Sequence, residues 1–86
     1  MKIAVKAYGV ILTSRPAGRE AALAMLANIR ATAADRIELD FAGVISVSPS
    51  WLDEVLRALR EKFGAARVRC LPTDNLSVIE SLKAID

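Results

Sequence analysis

Two serines, Ser48 and Ser50, flank a proline at the start of an apolar-periodic stretch, and Asp40 closes the strand-like run before them. A hydroxyl at a helix N-terminus has two chemical uses. It can accept a hydrogen bond from one of the spare N–H groups of the first turn, which caps the helix. It can also carry a phosphate, because the same N–H groups and the helix dipole favour an anion there. A plain cap by Ser48 or Ser50 is the simplest use of these hydroxyls. A hydrolytic role is the weakest of the three. The chain has no histidine, which removes the commonest general base near neutral pH and the commonest metal ligand. A Ser–Asp pair without such a base is a poor nucleophile, and no Gly-rich phosphate loop is present. The expectation is no catalytic residue, no cofactor and no metal.

Other side chains nearby bear on recognition. Trp51 is the sole tryptophan; it reads equally as an exposed partner anchor or as a ring folded into the core. Asp53 and Glu54 favour the start of the helix and, with Ser48 and Trp51, make a candidate partner-binding surface. Arg15 and Arg19 fall in the first turn of an earlier helix, where positive charge opposes the dipole. Glu20, Asp40 or a bound anion would compensate, so the two arginines are candidates for clamping a small anion or nucleotide. A solvated face or an internal ion pair is the plainer alternative. Cys70, among apolar neighbours, reads as a buried structural thiol.

The elements that must position these residues follow from periodicity. Ile37, Leu39 and Phe41 alternate with Glu38 and Asp40, the period of a strand. After Ser48-Pro49-Ser50, the residues Leu52, Val55, Leu56, Leu59 and Phe63 fall on one helical face, and Gly64 suits a C-cap. Asp53 and Arg57 are spaced for a supportive helical pair. Upstream, Ile3, Val5 and Ala7 alternate, Tyr8-Gly9 signals a turn, and Val10 to Leu12 is a second short strand, which together suggest a hairpin. Thr13-Ser14-Arg15-Pro16 starts a helix to about Ala33, with Ala22, Met25, Leu26, Ile29 and Ala33 apolar. Its small alanines allow close approach to a neighbour. Arg67 to Leu71 alternates again, and Thr73-Asp74-Asn75 caps a last helix with Val78, Ile79, Leu82 and Ile85 apolar. The order ββαβαβα predicts an α/β fold: a mixed, largely parallel sheet of about four strands with three helices.

Composition narrows the function classes. Eighty-six residues suit one domain. Twelve basic against ten acidic residues give a net charge of +2, too balanced for a nucleic-acid footprint. No run reaches the length of a membrane span and no leader pattern is visible. One cysteine excludes an intrachain disulfide framework and fits a reducing cytoplasm. The 53% hydrophobic content fits a filled core with apolar surface left for a partner, and the Ala-rich helix leaves a homodimer open.

The run LDFAGVISVSPSWLDEV resembles the STAS domains of sulfate transporters and anti-sigma factor antagonists, and more closely a STAS-like branch of unknown function. The features that carry the resemblance are Ser14-Arg15, Asp40-Phe41, Ser48-Pro49-Ser50-Trp51 and Asp53-Glu54. The resemblance implies a STAS-like fold and a regulatory, non-catalytic role. It also implies a protein partner, a kinase-like ATPase or anti-sigma factor. Antagonists of this kind carry Asp-Ser-Ser-Gly at the helix start, with the second serine phosphorylated. Carried over, that places the acceptor at Ser50 and the strand-end acid at Asp40. This sequence departs from the motif with Ser48 in place of Asp and Trp51 in place of Gly.

Overall fold

The computed structural model describes residues 1–30 and 35–85. The chain runs β1 (Lys2–Ala4), a 3-10 turn (Val5–Tyr8), β2 (Ile11–Leu12), α1 (Arg15–Asn28), β3 (Ile37–Asp40) and β4 (Ser46–Val47). It continues with α2 (Pro49–Phe63), a second 3-10 turn (Ala65–Arg67), β5 (Val68–Cys70) and α3 (Leu76–Ile85). The α/β class and the three helices are as the periodicity predicts. Ala33, expected on the apolar face of α1, lies outside the described residues.

The strands form two small parallel sheets. One has the order β1-β3-β5 and the other pairs β2 with β4. The expected N-terminal hairpin does not form. The 3-10 turn carries the chain sideways out of β1, and Gly9 follows in a glycine-favoured conformation at φ 134°. β2 therefore leaves β1 and joins the second sheet, pairing Ile11 with Ser46 and Leu12 with Val47.

In the larger sheet the register sets Lys2, Glu38 and Arg69 side by side. Arg69 grips Glu38 through Nε and Nη2 at 3.0 and 2.6 Å. That contact holds the Glu38 carboxyl below its ordinary value of 4.5. The opposite face carries Ile3, Ile37, Leu39 and Val68 into the core. There they meet the apolar stripe of α2, in which Leu52, Val55, Leu56 and Leu59 are all buried. Burying each such side chain is worth roughly 1.5–3 kcal/mol, so α2 is the element on which the rest is assembled. It ends at Gly64, φ 92°, whose N–H donates to the Arg60 carbonyl at 2.8 Å. Phe63 and the half-buried Cys70 pack on the rim of this core.

Candidate functional site

The start of α2 is built from a single residue of linker. Ser48 donates its N–H to the Leu12 carbonyl at 2.8 Å, ending the β2–β4 ladder. Its Oγ then accepts from the Trp51 N–H at 3.3 Å, capping α2, and Pro49 occupies the first helical turn. Ser48 is thus the cap. Ser50, one position past the proline, is half-buried, and its hydroxyl has no hydrogen-bond partner among the described residues.

The start of α1 repeats the chemistry and lies against it. Ser14 caps α1 by accepting from the Ala17 N–H at 3.3 Å. Arg15 then reaches across to α2, donating through Nη1 to Asp53 at 2.9 Å and Glu54 at 3.1 Å. Arg19 lies 3.6 Å from the same Glu54 carboxylate. Arg57 holds Asp53 from the next turn of α2 at 2.9 Å, the pair expected from the spacing. The hydrogen bond from Arg15 holds the Asp53 carboxyl below its ordinary 3.8, and the two carboxylates push the Arg15 guanidinium up. Among the described residues the carboxylates that pair with Arg15 and Arg19 are those of Asp53 and Glu54, in place of the expected Glu20 or Asp40. Ser50, Asp53, Glu54 and Arg57 are spaced three, four and seven apart and share one helical face.

Two expected site residues sit elsewhere. Trp51 is 1% exposed, so it is core and not an exposed partner anchor. Its backbone lies directly under Gly18 of α1; with no side chain at position 18, α1 comes close enough to help seal the indole in. Asp40 does not join the serines. Its Oδ1 accepts from the Ala42 N–H at 3.0 Å, folding the loop after β3. It lines a cleft of about 530 Å³ with Phe41, Ala42, Pro72, Thr73 and Asp74, none of them from α2. β3 ends in the larger sheet and α2 starts from the smaller one, which separates the acid from the serines.

A polar network that periodicity does not predict ties α3 to β4. Asn75 Oδ1 accepts from the N–H and hydroxyl of Ser77 at 3.0 and 2.6 Å, and its Nδ2 donates to the Val44 and Ile45 carbonyls at 2.9 and 3.2 Å. Ser77 Oγ accepts from the Val47 N–H at 3.0 Å, and the buried Ser81 Oγ donates to the Val47 carbonyl at 3.1 Å. The available sequence signal is two serines four apart, Ser77 and Ser81, on the helix that carries the apolar residues Val78, Ile79, Leu82 and Ile85. Among the described residues no cluster of His, Cys, Asp or Glu could hold a metal ion, and no helix is long and apolar enough to cross a membrane.

Comparison with protein families matches residues 24–71, more than half of the chain, to a family described as a STAS-like domain of unknown function. The chain belongs to this STAS-like family. The STAS-like segment runs from the second half of α1 through β5, so it contains Asp40, Ser48, Ser50, Asp53 and Glu54. Arg15 and Arg19 precede it and α3 follows it. No curated protein and no solved structure matches the chain.

Proposed function

We propose that this STAS-like chain is a single-domain, non-catalytic regulatory module of the cytoplasm that binds a partner protein through the first turns of α2, with Ser50 as a phosphorylation gate. The observation that carries the reading is the division of labour between the serines. Ser48 caps the helix, so Ser50 is not needed for capping and its hydroxyl is left without a bond among the described residues. The rim of this surface holds the half-buried Asp53 and Glu54 and the exposed Arg15, Arg19 and Arg57, which favours a charged, salt-sensitive contact. A phosphate on Ser50 would add roughly −1.5 to −2 charge on the face that already holds two carboxylates. It would compete for Arg15 and change what a partner meets. By family resemblance the partner is a kinase-like ATPase or an anti-sigma factor. A small-anion clamp is the weaker alternative, because an anion would have to displace carboxylates already bound to both arginines.

The test is affinity capture from the native host with wild-type and Ser50→Asp chains as paired baits, with mass spectrometry of the eluate and of Ser50. A partner held by one bait and released by the other supports the gate and gives its sign. The same partners on both baits, with Ser50 unmodified, would remove it.

A further inference from the structure

Among the described residues, β2 pairs along only one of its edges. The Val10 carbonyl accepts from the Ile45 and Ser46 N–H groups at 2.8 and 3.1 Å, and the Leu12 carbonyl accepts from Ser48 at 2.8 Å. Backbone groups alternate in direction along a strand, so the N–H and C=O of Ile11 and the N–H of Thr13, whose preceding carbonyl points to Ser48, turn to the opposite edge. No described residue bonds them there. β4, in contrast, has both edges filled, by β2 on one side and by the Ser77 and Ser81 hydroxyls on the other. Natural edge strands are usually blunted by charge, proline or a covering element. β2 has neither charge nor proline, and its Ile11 side chain is 63% exposed.

A groove of about 380 Å³ runs between β2 and α1. Tyr8 and Ile11 line one side and Ala17 and Ala24 the other, and Trp51 also lines it. The alanines of α1 leave depth that larger residues would fill. Glu20 is the only charged side chain in the lining, and among the described residues it has no ion-pair partner.

We propose that this edge docks an extended segment of a partner protein, added beside β2 as a further strand. Free backbone groups at alternate positions select an extended backbone. The alanine-walled groove takes an apolar side chain, and Glu20 selects a lysine or arginine in the segment. The docking uses neither Ser50 nor the Asp53 and Glu54 carboxylates, so it stands or falls apart from the phosphorylation gate.

Short random peptides displayed on phage and panned on the full chain are the probe, followed by synthetic copies of the enriched sequences. The expected enrichment is alternate apolar residues with one Lys or Arg. Glu20→Lys, a change at an exposed position that should leave the melting temperature intact, weakens binding about tenfold. Exchanging the basic residue of the peptide for Glu restores binding to that variant. N-methylation of alternate peptide amides abolishes binding in one register and spares it in the other. Enriched peptides with no charge preference, whose binding ignores Glu20→Lys, would overturn the proposal. So would sedimentation showing that the chain pairs with itself through this edge and that Glu20→Lys separates the copies.

Discussion

A β-carbon added to Gly18 would stand 2.7 Å from the Trp51 carbonyl oxygen and 2.8 Å from its Cα. These are backbone atoms of a packed helix and cannot swing aside as the end of a side chain can. At an exposed helical site Gly→Ala stabilises by roughly 0.5–1 kcal/mol. Here the sign reverses: Gly18→Ala is expected to destabilise by about 1–3 kcal/mol, the usual cost of overpacking. Denaturant unfolding followed by the fluorescence of Trp51 reads this directly. A stabilised variant would show that the two helices do not lie this close.

The pairing of Arg15 with Asp53 gives a pH dependence of defined sign. The folded carboxyl of Asp53 is held below its ordinary 3.8, and that of Glu38 below 4.5. A depressed carboxylate contributes stability that is present above its unfolded pKa and is lost as pH falls through the folded value. The melting temperature should therefore drop on acidification below about pH 4. Asp53→Asn and Glu38→Gln should each flatten that acid limb, and added salt should shrink the difference from wild type. An acid limb unchanged in both variants would mean that these ion pairs do not persist in solution.

Ser81 is expected to matter more than a serine usually does. Its hydroxyl is buried and donates to the Val47 carbonyl. Ser81→Ala removes the donor and leaves a buried acceptor unpaired, which costs about 1–3 kcal/mol. Ser77→Ala frees the Val47 N–H instead, so amide hydrogen exchange at Val47 should accelerate in that variant. Unchanged exchange would show that Ser77 does not hold this amide.

Ser14 carries φ 75° and ψ 147°, the one non-glycine residue with positive φ among those described. Such a conformation costs of order 1–3 kcal/mol for a residue with a side chain, and glycine at an N-cap loses only a few tenths. Ser14→Gly should therefore stabilise by about 1 kcal/mol. For a domain of this size that is a rise of about 4–8 °C in melting temperature. A fall would show that the cap to Ala17 outweighs the strain.

Much of this architecture was legible because it is local. Ser48-Pro49 announces the start of α2, Gly64 its end, and the spacing from Leu52 to Leu59 its buried face. What sequence could not supply was partnership. The alternation of Ile3 and Val5 indicates which side chains share a face but not which strand lies alongside, so β1 pairs with β3 where a hairpin was expected. The fate of Trp51 depends on Gly18, thirty-three positions away in sequence. The occupation of Arg15 depends on carboxylates on another helix. In each case a tertiary neighbour supplies what the local pattern left open.

The hydroxyls that close the outer edge of β4 belong to α3, which leaves the ribosome after every other element described. Until it does, a nascent chain presents the bare N–H and C=O of Val47 beside an apolar face. The same holds for a chain clipped or terminated before Asn75. Such an edge is a template for intermolecular pairing. α3 thus covers the outer edge of the smaller sheet. Chains truncated before Asn75 are expected to pellet on synthesis under conditions that keep the longer chain in the supernatant.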